Sequence, residues 1–136
     1  LAMSILNGLS HGIKISITRS ITMAFEQYMA NIMWDEDTYS PSDFMKEWQR
    51  YIQQNASWYS DVPSDVKNDP RFHEEMAVKI NKVVAKIFSE EPTEVQIETI
   101  NALQEKLGTD YDFSCKAEAR FYIDFLNEYE KKKPKG

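Results

Sequence analysis

The sequence predicts an all-α protein, one domain of about five helices that closes on a C-terminal helical hairpin. Three observations predict it. Apolar residues recur at intervals of three and four in five separate stretches. Three of those stretches open on a start signal, at Ser40-Pro41, Asp69-Pro70 and Thr93. Only 4 glycines and 5 prolines are spread over 136 residues, too few for the many turns of a β-sandwich.

The first helix is predicted over about 16–33, where Ile17, Ile21, Ala24, Phe25, Tyr28 and Ile32 form one stripe. Just before it, Ile13, Ile15 and Ile17 alternate with polar residues, a strand period over too few positions to define an element. Residues 1–12 stay unassigned. The second helix, about 41–54, takes Ser40 as cap, Pro41 in the first helical position and Asp43 to close the box. Phe44, Trp48, Tyr51 and Ile52 share one of its faces.

Residues 55–69 show no period and read as a loop, which Trp58 and Tyr59 can pin to the body. Loops of that length in a compact domain are usually functional or mobile. The third helix opens at Asp69-Pro70, with Glu74 and Glu75 near the positive end of its dipole. Phe72, Met76, Ile80, Val83, Val84 and Ile87 line one face, and Ala77 and Phe88 widen it, so a central place is expected.

The fourth helix, 94–107, has both ends written in. Thr93 is the cap, Gln96 completes a capping box, and Gly108 is a left-handed stop. Ile97, Ile100, Leu103 and Leu107 form its stripe. Ser114 is then expected to cap a fifth helix, about 115–131, whose main face is Ala119, Tyr122, Ile123 and Leu126. Phe121 and Phe125 make a second face. Two apolar faces mean either a central helix or an exposed strip that meets a partner, and burial is the simpler reading.

Composition bounds the rest. With 42% apolar and 28% charged residues the chain is a folded globular protein, long enough for a core without disulfides or metals. Cys115 is the only cysteine, which excludes an internal disulfide and a cysteine-rich zinc site and points to the cytoplasm. No apolar run reaches the roughly 18 residues of a membrane span, so no membrane contact is expected. No basic leader with an apolar run follows the start; Met3 is the expected natural first residue, with Leu1-Ala2 an addition.

The net charge of -6 is local. Asp35 to Glu75 holds ten acids against four bases, while the flanking segments nearly balance. Such a segment repels phosphate backbones. Lys131, Lys132, Lys133 and Lys135 form the one basic tail, a solvated end on the plain reading and a phosphate contact on the other.

Chemistry-bearing patterns are sparse. His73-Glu74-Glu75 begins a helix but no second histidine follows four residues on, and the other histidine is His11. Asp35-Glu36-Asp37 lacks the glycine and terminal glutamate of a calcium loop. Cys115 at a helix start would be a more acidic thiol, yet the two histidines are distant in sequence and packing is the simpler role. The glycines never group into a phosphate loop. No catalytic residue, cofactor or metal is therefore assigned, and an enzyme is not expected.

The aromatics carry more. Trp34, Tyr39, Phe44, Trp48, Tyr51, Trp58, Tyr59 and Phe72 crowd into less than a third of the chain, the same segment that holds the acid. With few Lys and Arg beside them they do not make a nucleic-acid stacking groove. A core is the simpler reading. The functional one is an acidic aromatic surface for another, basic protein, with Trp34, Trp48, Trp58 and Tyr59 as anchors and Phe121 and Phe125 as a further contact.

The run Gln96-Ile97, Ile100, Leu103, Leu107-Gly108, then Lys116-Ala117-Glu118-Ala119, Ile123 and Leu126, resembles a small two-helix module that recurs near the ends of bacterial and phage proteins. Its pattern is Q-I-x-x-I-x-x-L-x-x-x-L-G, an acidic turn, and K-x-E-A-x-x-x-I-x-x-L, and the resemblance covers about residues 93–128. It implies a packing unit with Gln96 as cap partner and the Ala119 face as contact, and carries over no catalytic residue. Some of its hosts belong to phage replication, recombination or regulation.

The function expected is that of a small non-enzymatic regulatory or accessory protein of bacterial or phage origin, acting by protein-protein contact. The alternative is a nucleic-acid-associated module of phage replication or recombination type that uses the lysine tail. A third reading is a homo-oligomer formed through Phe121 and Phe125.

Overall fold

Helices begin where a side chain can accept from a backbone N–H that the helix itself leaves open. The structure, a computed structural model, describes residues 5–132, and no strand occurs among them. Ser10 Oγ accepts from the N–H of Ile13 at 3.3 Å, and α1 runs from there over His11–Asn31. The alternation of Ile13, Ile15 and Ile17 is thus helical, and α1 starts at His11, ahead of the apolar stripe that begins at Ile17. Residues Leu6–Gly8 form a single 3-10 turn ahead of it. The expected start at Met3 lies outside the described residues.

Helix α2 is Pro41–Asn55, with Ser40 Oγ accepting from the Asp43 N–H at 3.3 Å. The expected loop after it holds two short helices, α3 (Ser57–Asp61) and α4 (Ser64–Lys67). At five and four residues each is little more than one turn, too short for a hydrophobic period to show. Helix α5 is Pro70–Ser89, α6 is Glu94–Leu107 and α7 is Lys116–Lys132. Packing divides the chain into two compact units, Leu1–Ala85 and Lys86–Gly136.

In the first unit α1 packs along α2, and α3 touches both. Ile17, Ile21, Phe25 and Met29 of α1 are fully buried, with Phe44 and Trp48 of α2 beside them in the core. Phe25 meets Phe44 and Tyr39 edge-on at 5.1 and 5.8 Å between ring centres. Tyr28 fixes the start of α2, its hydroxyl accepting from the Ser40 N–H at 3.1 Å. Phe72, Met76 and Ile80 of α5 bury the face that the sequence assigns to them.

Between α1 and α2 the chain reverses through two consecutive left-handed residues that are not glycine, Met33 (φ 57°) and Trp34 (φ 54°). The Trp34 N–H donates to the Met29 carbonyl at 2.7 Å, so the reversal doubles as the helix stop. A side chain in that conformation costs roughly 1–2 kcal/mol, which glycine avoids. Met33 is exposed and loses little packing on truncation. Met33→Gly is expected to raise the unfolding free energy by about 1 kcal/mol in urea titration; a loss of stability would show that the turn is not strained.

The second unit is the α6–α7 hairpin. Thr93 Oγ1 accepts from the Gln96 N–H at 3.1 Å while Gln96 Oε1 accepts from the Thr93 N–H at 3.0 Å, the full capping box. Gly108, at φ 70°, ends the helix. Ile100, Leu107, Ala119, Tyr122 and Leu126 form the core, with Ala119 fully buried. Gln96 also reaches across, its Nε2 donating to the Lys116 carbonyl at 3.3 Å. Lys106 and Glu130 pair at the opposite end of the hairpin.

One start differs from the expectation. Ser114 does not cap α7 through its hydroxyl; its N–H and Oγ both donate to the Glu118 carboxylate, at 2.7 and 3.3 Å. The buried Cys115 takes the position before the helix, its carbonyl accepting from the Ala119 N–H at 2.9 Å.

Candidate functional site

The three tryptophans are core residues of the first unit, which corrects their assignment as surface anchors. Trp34 is 5% exposed, Trp48 2% and Trp58 4%. Trp48 lies on the same α2 stripe as Phe44 and Ile52, so it turns inward with them. Trp58 stacks on Trp48 at 6.2 Å and donates its indole N–H to Ser20 Oγ at 2.9 Å. That hydrogen bond lets the ring sink fully, since a buried indole needs an acceptor. The left-handed turn at Met33 and Trp34 precedes a ring that meets Phe25 edge-on at 6.3 Å. Tyr59 is half-buried, edge-on to Trp58 at 5.8 Å, with Lys67 Nζ 4.5 Å from its ring centre.

Phe121 and Phe125 behave differently. Both belong to the second unit and both are half-buried, lying beside the hairpin core rather than in it. They stack on each other at 5.9 Å with ring planes 18° apart. Tyr111, from the link between the helices, meets Phe125 edge-on at 5.5 Å and stacks on Tyr122 at 5.2 Å. Tyr129 follows Phe125 by one helical turn and is 42% exposed, while Tyr111 is 38% exposed. The four rings make one aromatic strip along α7.

The strip is held from beneath by Gln104, a buried amide in the α6 stripe. Its Oε1 accepts from the Tyr111 N–H at 2.5 Å and its Nε2 donates to the Tyr111 carbonyl at 3.1 Å. One side chain thereby satisfies both polar groups of the residue that carries the exposed ring. Gln104→Ala is expected to lose about 1–3 kcal/mol of stability, the cost of leaving those groups unmet, and to broaden the Tyr111 ring resonances in NMR. A fully stable variant with an unchanged Tyr111 would contradict this.

Exposed acids flank the strip in sequence, with Arg120, Lys131 and Lys132 the exposed cations nearest to it on α7. Asp110 and Asp112 are exposed on either side of Tyr111, and Asp124 and Glu128 are exposed beside Phe121 and Phe125 at helical spacing. Burial pushes the Tyr122 phenol above its usual range, and the negative field of Glu118, Tyr111 and Asp112 adds to the shift. Glu128 is partly offset by Lys131 at 3.2 Å. That pairing engages the first lysine of the basic tail; Lys133 and Lys135 lie outside the described residues.

Sequence reasoning missed two of the four rings. Tyr129 had a signal, since Phe121, Phe125 and Tyr129 recur every fourth residue. Tyr111 had none, because only the Gln104 clamp fixes where its ring goes. Among the described residues no group of three or more His, Cys, Asp or Glu could hold a metal ion, and no helix is long and apolar enough to cross a membrane. No protein-family model, curated protein or solved structure matches the chain.

Proposed function

We propose that the protein is a non-enzymatic regulatory or accessory factor that binds a basic protein partner through the acidic aromatic strip of its second unit. A single observation carries this reading. Tyr111, Phe121, Phe125 and Tyr129 keep part of their surface open to solvent and have Asp110, Asp112, Asp124 and Glu128 at their edges. Rigid aromatic rings supply contact area at small entropic cost, and flanking carboxylates select cationic partners and speed their encounter. The tryptophans of the first unit do not take part. The C-terminal pattern suggests a bacterial or phage setting.

The test is selection of short peptides rich in Lys, Arg and Leu on the wild-type protein. Binders are expected that release as salt rises, because the carboxylates are exposed and screened. Equal binding of those peptides to a Phe121→Ser, Phe125→Ser variant would end the proposal. Light scattering addresses self-association: a stable dimer of the wild type that the same variant abolishes would make the partner a second copy of the chain.

A further inference from the structure

We infer that the first unit carries a separate binding groove for a small apolar anion, a carboxylate or related acid borne on a short hydrocarbon or aromatic body. The groove has a volume of about 290 Å³ and lies between the 3-10 turn, α1 and α5. Its lining combines the apolar Leu6, Ile17 and Val78 with Lys14, Lys79 and Lys82. Leu6 and Ile17 are buried in the fold, whereas Val78 is 54% exposed, so the groove has an apolar floor and an apolar edge open to solvent.

The charge of this lining runs against the rest of the chain. The protein has a net charge of -6, yet three cations meet here around one acid, Glu75. Both oxygens of that acid are engaged by the wall of the groove: Oε2 accepts from the Ile5 N–H at 3.0 Å and Oε1 from the Leu6 N–H at 3.2 Å. None of the three lysines is ion-paired among the described residues. Lysine stems can lie along apolar surface while their ammonium groups gather at one end. An anion with an apolar body satisfies both parts of this lining at once.

A neutral apolar ligand would bury its body and leave the lysines unmet. A compact inorganic anion would leave the exposed side chain of Val78 at the groove edge uncovered. The volume, near the lower end for ligand pockets, suits a small molecule rather than a folded segment. The groove shares no residue with the aromatic strip, so the two proposals stand or fall separately.

The experiment is displacement of the fluorescent anion 8-anilinonaphthalene-1-sulfonate by octanoate, with octan-1-ol and octylamine as competitors of matched length. Octanoate is expected to displace the dye at least tenfold more effectively than either. Lys79→Gln with Lys82→Gln is expected to weaken octanoate by about tenfold, the loss of one half-buried and one exposed charge contact together. The Phe121→Ser, Phe125→Ser variant and Lys131→Gln are expected to bind it as the wild type does. Circular dichroism and thermal melting confirm that each variant is folded.

Equal displacement by octan-1-ol overturns the proposal, as does unchanged octanoate binding in the lysine variant or its loss in the phenylalanine variant. Co-sedimentation with phosphatidylglycerol vesicles without octanoate binding overturns it in favour of a bilayer surface.

Discussion

Phe25→Ala should lower the unfolding free energy by about 3–5 kcal/mol, the range for deleting a fully buried phenylalanine. Phe25 is 0% exposed, and its ring is the hub on which Trp34, Tyr39 and Phe44 all meet edge-on. Removing it leaves a cavity that three large rings cannot close together, and each loses an aromatic contact. The loss should be read by urea titration with tryptophan fluorescence, because all three tryptophans lie in the first unit. Phe25→Leu should recover a large part of it. A loss below about 1 kcal/mol would mean that the hub is not packed as described.

Removing both stacked phenylalanines should have the opposite profile. Phe121→Ser with Phe125→Ser deletes two anchors of the kind that each contribute about 2 kcal/mol at an interface, so affinity for the basic partner should fall more than a hundredfold. The rings also pack against Ile100, Leu126 and their neighbours. Some stability is therefore lost, but less than for a buried core residue such as Leu126. Comparison with Leu126→Ala separates the two roles. If affinity and stability fell in proportion in both variants, the strip would be structural only.

The fold was legible wherever its determinants are local. Thr93, Gln96 and Gly108 lie within one short helix and its two ends, and α6 begins and ends where they place it. Ser40-Pro41 and Asp69-Pro70 likewise mark the starts of α2 and α5. The start of α1 was not legible, because Ile13, Ile15 and Ile17 imitate a strand and only Ser10 reveals the helix. Helices α3 and α4 escaped for want of length.

The site was legible in part. The second apolar face of α7 was visible as Phe121 and Phe125, but which aromatics are core and which are surface depends on contacts distant in sequence. Trp58 is buried because Ser20, 38 positions away, accepts its N–H. Tyr111 is placed by Gln104. The lysine groove joins residues 14, 79 and 82, which no local pattern connects.

If the strip along α7 is the contact surface, it responds when the isotopically labelled protein is titrated with a selected lysine- and leucine-rich peptide and amide chemical shifts are mapped. Shifts are expected at residues 110–112 and 118–129, fading as salt is raised. Shifts confined to the helices of the first unit, or no shift at saturating peptide, would contradict that assignment.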